Sequence, residues 1–281
     1  MMYKPIYIVG YPHGGCTLLR NMLRENENIY TITGTKKETK KTKRFGSGSE
    51  GHNSLFNIIP ETLRNPDGKG GPCWQYGWDE QIDHHHLTEK DVKLEDAEQY
   101  LSVMEDIKRE FNVSNTMRFL DKSQPYLVKT RYIQKILFPA DVYFIYVIRN
   151  PYVLCYKPFK WNMYGKEKRI KAFEQVANTY NCFVNDSEYL KHFKIIKFED
   201  VVLSTRRTLK KLCNILELNF EEDMTPHKES TIESNLKPKF YPLKTDVVYD
   251  DGRNRFGNKE LDGMITEKCA DIIESFNYSI P

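Results

Sequence analysis

Gly10-Tyr11-Pro12-His13-Gly14-Gly15-Cys16-Thr17 is the stretch of this chain whose chemistry is easiest to name. Its spacing is that of a phosphate loop, G-x-x-x-x-G-K-[ST], with one residue changed. Glycines let backbone amides wrap an anion, and a helix starting behind them favours negative charge. Cys16 stands where a kinase or nucleotidase places Lys. The cation that would reach the β and γ phosphates is therefore missing. A nucleoside triphosphate with Mg²⁺ is dense in charge and normally needs that Lys. A phosphosulfate carries less charge and can be held largely by amides. The loop speaks against an ATP-dependent kinase and tolerates a sulfate donor. A tight structural turn with no ligand is the plain alternative.

Arg149 is the second candidate. It follows the most apolar run of the chain, 142–148 (VYFIYVI). A guanidinium matches phosphate oxygens bidentately. The C-terminal end of a central strand is where α/β sheets bind ligands. A surface salt bridge is the competing use of such an arginine. His84-His85-His86 invites a metal. Adjacent histidines on a regular element cannot all face one ion, and no Cys or Asp pattern supports them, so no metal is expected. The six cysteines form no CxxC pair and read as reduced thiols.

These residues need a scaffold, and the pattern supplies one. Ile6–Val9 is short, apolar and β-rich, as a buried parallel strand is. With the glycine loop and the helical spacing of 17–23, it makes a strand–loop–helix unit. Further helices are expected over Leu94–Phe111, 127–137, 168–189, 203–216 and 258–276. Thr88 and Asp91 form a loose capping box before the first of these. Further strands are expected at Arg118–Lys122, 142–148 and 194–198. Strands alternating with helices predict an α/β fold, a P-loop-like central parallel sheet flanked by helices. The chain reads as one domain, 1–281. It includes a solvated or flap-like loop at 34–50, basic over 36–44 (KKETKKTKR), and an irregular Pro-, Lys- and Gly-rich region at 235–259.

Composition narrows the class. The 281 residues are 40% hydrophobic and 29% charged, which is globular rather than disordered. A net charge of +3 admits anionic ligands but does not imply nucleic acid. No stretch has the roughly 20 apolar residues of a membrane span, and the first residues lack a signal peptide's pattern. A cytoplasmic protein is the simple expectation.

Four segments, taken in order, resemble the sulfotransferase superfamily, and more narrowly its Golgi and bacterial carbohydrate- and tyrosylprotein-sulfotransferase-like branch. They are the Gly10 loop, Asp121-Lys122-Ser123-Gln124-Pro125, the run from Leu137-Phe138-Pro139 to Arg149-Asn150-Pro151, and Ile195-Ile196-Lys197-Phe198-Glu199-Asp200-Val201 with its following Thr208-Leu209 helix. The family shows G-x-P-R-S-G-T-T-L-L, E-K-S-P, L-F-P-x-A-x-F-I-x-x-x-R-x-P and Y-E-D-L in these places. Glu50-Gly51-His52, Ile59-Pro60, Gly70-Gly71-Pro72 and His86-Leu87-Thr88-Glu89 resemble one subgroup more weakly.

The resemblance implies a sulfotransferase fold and a donor, 3′-phosphoadenosine 5′-phosphosulfate (PAPS), with 3′-phosphoadenosine 5′-phosphate (PAP) as product. It implies that His13, Gly14, Gly15, Cys16, Thr17 and Leu18 bind the 5′-phosphosulfate and that Arg149 binds the 3′-phosphate. Lys122, with Ser123 assisting, would stabilise charge on the transferring group. Glu50 would be the base, with His52 or Glu38 as alternates. Arg253 and Arg255 would belong to a loop that closes over the nucleotide. Two positions depart from the family. His13 replaces Lys or Arg, putting a group that titrates near neutrality where a permanent cation is usual. Lys157 replaces Ser, though it would still offer the 3′-phosphate a point charge.

The acceptor is a hydroxyl, with a glycan preferred. Trp74, Tyr76, Trp78 and Trp161 offer stacking faces, or else pack the core. Two rivals stay open: a P-loop kinase-like phosphotransferase, for which Asp200 would hold Mg²⁺, and a nucleotide-binding homologue that has lost catalysis. Oligomeric state is not legible.

Overall fold

The computed structural model describes residues 4–31, 75–156, 169–225 and 257–281. Five parallel strands form its sheet: β1 (Ile6–Val9), β2 (Ile29–Tyr30), β3 (Arg118–Lys122), β4 (Tyr143–Ile148) and β5 (His192–Lys197). Their spatial order is β2-β3-β1-β4-β5. The chain leaves β1 toward β2, returns to β3, then crosses β1 to reach β4. The switch point is the crevice between β1 and β4.

Ten helices accompany the sheet among the described residues. They are α1 (Cys16–Leu23), α2 (Ile82–His85), α3 (Leu94–Phe111), α4 (Thr130–Ile136), α5 (Pro151–Tyr156), α6 (Arg169–Ser187), α7 (Phe198–Leu203), α8 (Thr205–Ile215), α9 (Lys259–Lys268) and α10 (Ala270–Phe276). The sheet is covered on both faces, and strand alternation shows how. Tyr7 and Val9 of β1 pack with Phe144, Tyr146 and Ile148 of β4 and with Phe173 and Phe183 of α6. Ile6 and Ile8 pack on the opposite face with Ile145, Val147, Leu19 of α1 and Leu212 of α8. That two-sided burial is why β1 and β4 are apolar throughout. No helix of the described residues is long and apolar enough to cross a membrane.

Local chemistry sets several ends. The Thr88–Asp91 capping box forms: Thr88 N donates to Asp91 Oδ2 at 2.7 Å and Lys90 N to Thr88 Oγ1 at 3.3 Å. Asn112 and Asn277 end α3 and α10 in the left-handed region, φ 51° and 50°, which asparagine tolerates best after glycine.

Other expected boundaries move. The helix foreseen over 127–137 is a 3₁₀ turn (Gln124–Val128) followed by α4, with the break at Lys129, φ −140°. The helix foreseen over 203–216 begins afresh at Thr205, because Ser204 leaves helical geometry. The last helix divides at Cys269. β5 starts two residues earlier than foreseen, and Phe198 belongs to α7 rather than to the strand.

At the N-terminal edge of the sheet, Glu217 bonds Lys4 Nζ and accepts from Tyr143 Oη at 2.7 Å. The Lys4 bond first, then that of Tyr143, lowers its carboxyl to about 2. A lowered folded-state pKa stabilises fully above the unfolded value and stops doing so as pH falls through the folded one. Glu217→Gln should therefore melt below wild type at pH 6. The gap in Tm should close as pH is lowered from about 4.5 toward 2. A gap independent of pH would show that the ion pair contributes nothing to stability.

Candidate functional site

The loop after β1 turns tightly because its residues allow nothing looser. Gly14 N donates to Tyr11 O at 2.8 Å. His13 has φ 68° and Gly15 φ 100°, both in the left-handed region. A Cβ on Gly10 would lie 2.6 Å from Cys16 Sγ and 2.7 Å from Val147 O. One on Gly15 would lie 2.1 Å from the Phe198 ring. The loop is thus pressed against β4 on one side and the start of α7 on the other. Gly14 and Leu18 use their amides internally, Leu18 N donating to Gly15 O at 3.0 Å. Gly15 and Thr17 have no internal acceptor for theirs among the described residues. Those two amides are the donors that the turn and the α1 start present together.

β4 runs two residues beyond Tyr146, the partner of Val9, so its end rises beside the loop. Arg149 sits there, 3% exposed. Its Nη1 donates to His13 O at 3.1 Å, and its guanidinium lies 4.3 Å from the centre of the Phe198 ring. The strand end is itself held. Asn150 N donates to Glu199 Oε1 at 2.9 Å, Tyr278 Oη donates to Glu199 Oε2 at 3.0 Å, and Asn150 Nδ2 donates to Ser279 O at 2.8 Å. Glu199 and Asn150 are buried, so these bonds are shielded from water and fix the direction in which Arg149 leaves β4.

β3 brings the third group. Ser123 N donates to Ile8 O at 3.2 Å, which anchors the end of β3 on β1. Asp121 Oδ1 accepts from Lys122 N at 2.7 Å, and Asp121 Oδ2 from Tyr126 Oη at 3.1 Å. Tyr7 and Tyr100 bond each other beside it. Burial first, then these neighbours, pushes the Tyr7 and Tyr126 phenols well up. They are neutral hydrogen-bonding groups under Asp121, not acids or bases. Leu120 faces the α1 side, so alternation directs the buried Lys122 to that same side, toward the loop. The Ser123 hydroxyl is fully buried and has no protein partner among the described residues.

A glycine turn, a helix start, a buried Arg and a buried Lys thus converge at the C-terminal ends of β1, β3 and β4. Residues 5–222 match the Sulfotransferase family. The chain belongs to the sulfotransferase family.

Solved sulfotransferases share the fold. The sulfotransferase domain of the Synechococcus PCC 7002 olefin synthase superposes with TM-score 0.60 at 17% identity, over 100% of this chain and 98% of that one. The sulfotransferase domain from the curacin biosynthetic pathway gives 0.60 and 17%, over 100% and 99%. The Alicyclobacillus acidocaldarius sulfotransferase gives 0.51 and 14%, over 99% and 98%. No curated protein matches the chain by sequence.

Of the residues read from the sequence, the sulfotransferase brings together His13, Gly14, Gly15, Thr17, Lys122, Ser123 and Arg149. His13 contributes its backbone carbonyl to Arg149. Cys16 is buried under Gly10 and packs into the α1-side core, and Leu18 packs on the same core. Asp200 is exposed on α7 and lines a groove with Lys194, Arg207 and Lys211, away from the glycine loop. Tyr76 and Trp78 are buried and pack the interior. Glu38, Glu50, His52, Trp74, Lys157, Trp161, Arg253 and Arg255 lie outside the described residues.

Sequence reasoning missed Phe198, Asn150, Glu199 and Tyr278. Phe198, Glu199 and Asn150 stood inside family segments, but Asn150 meets Glu199 across 49 positions and Ser279 across 129, and Glu199 meets Tyr278 across 79. Nothing local announces them.

Proposed function

We propose that this sulfotransferase moves a sulfuryl group from PAPS to an acceptor hydroxyl, a carbohydrate by preference, and releases PAP. The observation that carries the reading is the contact between Arg149 and the His13 carbonyl. It puts a permanent cation and an anion-wrapping turn in one crevice at the switch point, where open α/β sheets bind ligands. The cradle suits an anion, since the Gly15 and Thr17 amides have no acceptor among the described residues.

In this reading the Gly15 and Thr17 amides hold the 5′-phosphosulfate and Arg149 holds the 3′-phosphate. The donor, when bound, supplies the activated sulfuryl group. Sulfuryl transfer resembles phosphoryl transfer, so positioning and charge stabilisation are the protein's main contributions. Lys122 stabilises charge on the transferring oxygens, and the Ser123 hydroxyl adds a hydrogen bond. His13 meets the leaving phosphate. Glu50, or else His52 or Glu38, takes the acceptor proton. Lys157, Arg253 and Arg255 contact the nucleotide. No metal is required. The six cysteines form no CxxC pair, and a cytoplasmic location belongs to the same reading.

Transfer of ³⁵S from labelled PAPS to a panel of hydroxyl acceptors, glycans among them, tests the proposal. Lys122→Ala should lower turnover about 100-fold, the usual effect of removing one electrostatic stabiliser of a transition state. Glu50→Gln should lower turnover with PAP affinity nearly intact. Donor binding without transfer to any acceptor would favour a homologue that has lost catalysis, as the His13 and Lys157 departures would allow.

A further inference from the structure

A second cluster of chemically capable side chains lies away from the donor crevice. His86 follows α2. Cys182 and Asp186 stand four residues apart on α6 and therefore share a face. The imidazole, thiol and carboxylate atoms all lie within 4.8 Å of one another. His86 Nε2 is 3.0 Å from Asp186 Oδ1 and 3.1 Å from Oδ2. Two ligands each about 2.1 Å from an ion at tetrahedral angles stand roughly 3.4 Å apart. The trio is thus near the spacing of a metal site before any metal binds.

The surroundings of the trio also fit that use. Asp186 is held as a metal-binding carboxylate usually is: Thr130 Oγ1 donates to its Oδ2 at 3.3 Å. Two cations stand close. Arg131 is gripped by Glu89 at 2.6 and 2.7 Å and also forms an ion pair with Asp186 Oδ1 at 3.7 Å. Lys129 Nζ donates to His85 O at 2.9 Å. The three histidines also diverge: His84 is exposed, His85 is buried, and His86 turns to Asp186 of α6.

We propose that His86, Cys182 and Asp186 form a zinc site that pins the end of α2 to α6. A nitrogen, sulfur and oxygen set is what borderline-soft Zn²⁺ takes, and half-exposed His86 leaves the fourth position to water. On binding, the thiol releases its proton to solvent and the imidazole keeps its proton on Nδ1. The dication then faces one thiolate and one carboxylate, beside the Arg131 cation that pairs with Asp186. α6 packs on the Gln124–Val128 turn directly after Ser123, so the metal would also brace the β3 end.

Cobalt is the test, because Co²⁺ bound by a thiolate is coloured. The purified full chain, stripped with chelator and titrated with Co²⁺, should take up one equivalent. It should show visible d–d bands and a near-ultraviolet sulfur-to-cobalt charge-transfer band, all lost on adding Zn²⁺. Cys182→Ala should lose the charge-transfer band. His86→Gln, at a half-exposed position, should weaken cobalt affinity at least tenfold and keeps the test open if the cysteine variant does not fold. Absence of the bands in wild type, or bands that persist in both variants, would overturn the site.

Discussion

Arg149→Ala is expected to bind PAP at least about 30-fold more weakly than wild type. The reasoning starts from burial. The guanidinium is 3% exposed, stacked on Phe198, and donates to His13 O. Truncating a buried, hydrogen-bonded charge that pairs with a ligand costs roughly 2–5 kcal/mol of binding, and each 1.4 kcal/mol is tenfold. Two losses combine. In the proposed donor site the 3′-phosphate would lose its cation, and the loop loses the bond to the His13 carbonyl. Arg149→Lys separates them, since lysine restores charge without the planar fork. It should recover only part of the affinity. Calorimetric titration with PAP reads both variants. Equal affinity for Arg149→Ala and wild type would remove Arg149 from the donor site.

Gly15→Ala should be nearly as damaging, through shape rather than charge. Gly15 has φ 100°, where a Cβ is strained, and that Cβ would lie 2.1 Å from a Phe198 ring carbon. The left-handed conformation costs about 1–2 kcal/mol and overpacking typically about 1–3 kcal/mol. The methyl group would also stand beside the amide assigned to the donor. Gly15→Ala should lower Tm by several degrees and weaken PAP binding at least about tenfold. Adding Phe198→Leu should restore part of the Tm, because the ring clash is relieved, while the φ strain stays and keeps binding weak. Full recovery of binding in the double variant would show that the ring contact alone sets the loop.

Most of the framework was legible in the sequence because its signals are local. β1 and β4 are runs of apolar residues too short for helices and buried on both faces, so their composition announces a central parallel sheet. The Thr88–Asp91 box needs only four residues, and both of its bonds form. The glycine loop could be read for the same reason.

The errors fall where tertiary contacts decide. β2 is two residues long and is specified by its pairing with β3. Residues 194–198 (KIIKF) read as one strand from their isoleucine and aromatic content. Phe198 nonetheless starts α7, because its ring is needed under Arg149 and against Gly15. Ser204 and Cys269 break helices whose periodicity continues across them. The support for Arg149 joins Asn150, Glu199 and Tyr278 from three distant parts of the chain, and no window of sequence contains it.

Thermal unfolding of the purified protein with increasing PAP, beside a parallel series with ATP and Mg²⁺, tests the donor assignment most directly. A ligand bound only by the folded state adds about 2.7 kcal/mol at a hundredfold excess over its Kd. The account predicts a saturable rise in Tm with PAP, no rise with Mg²⁺-ATP, and a weakened response in Arg149→Ala. No response to PAP, or a response to Mg²⁺-ATP alone, would contradict it.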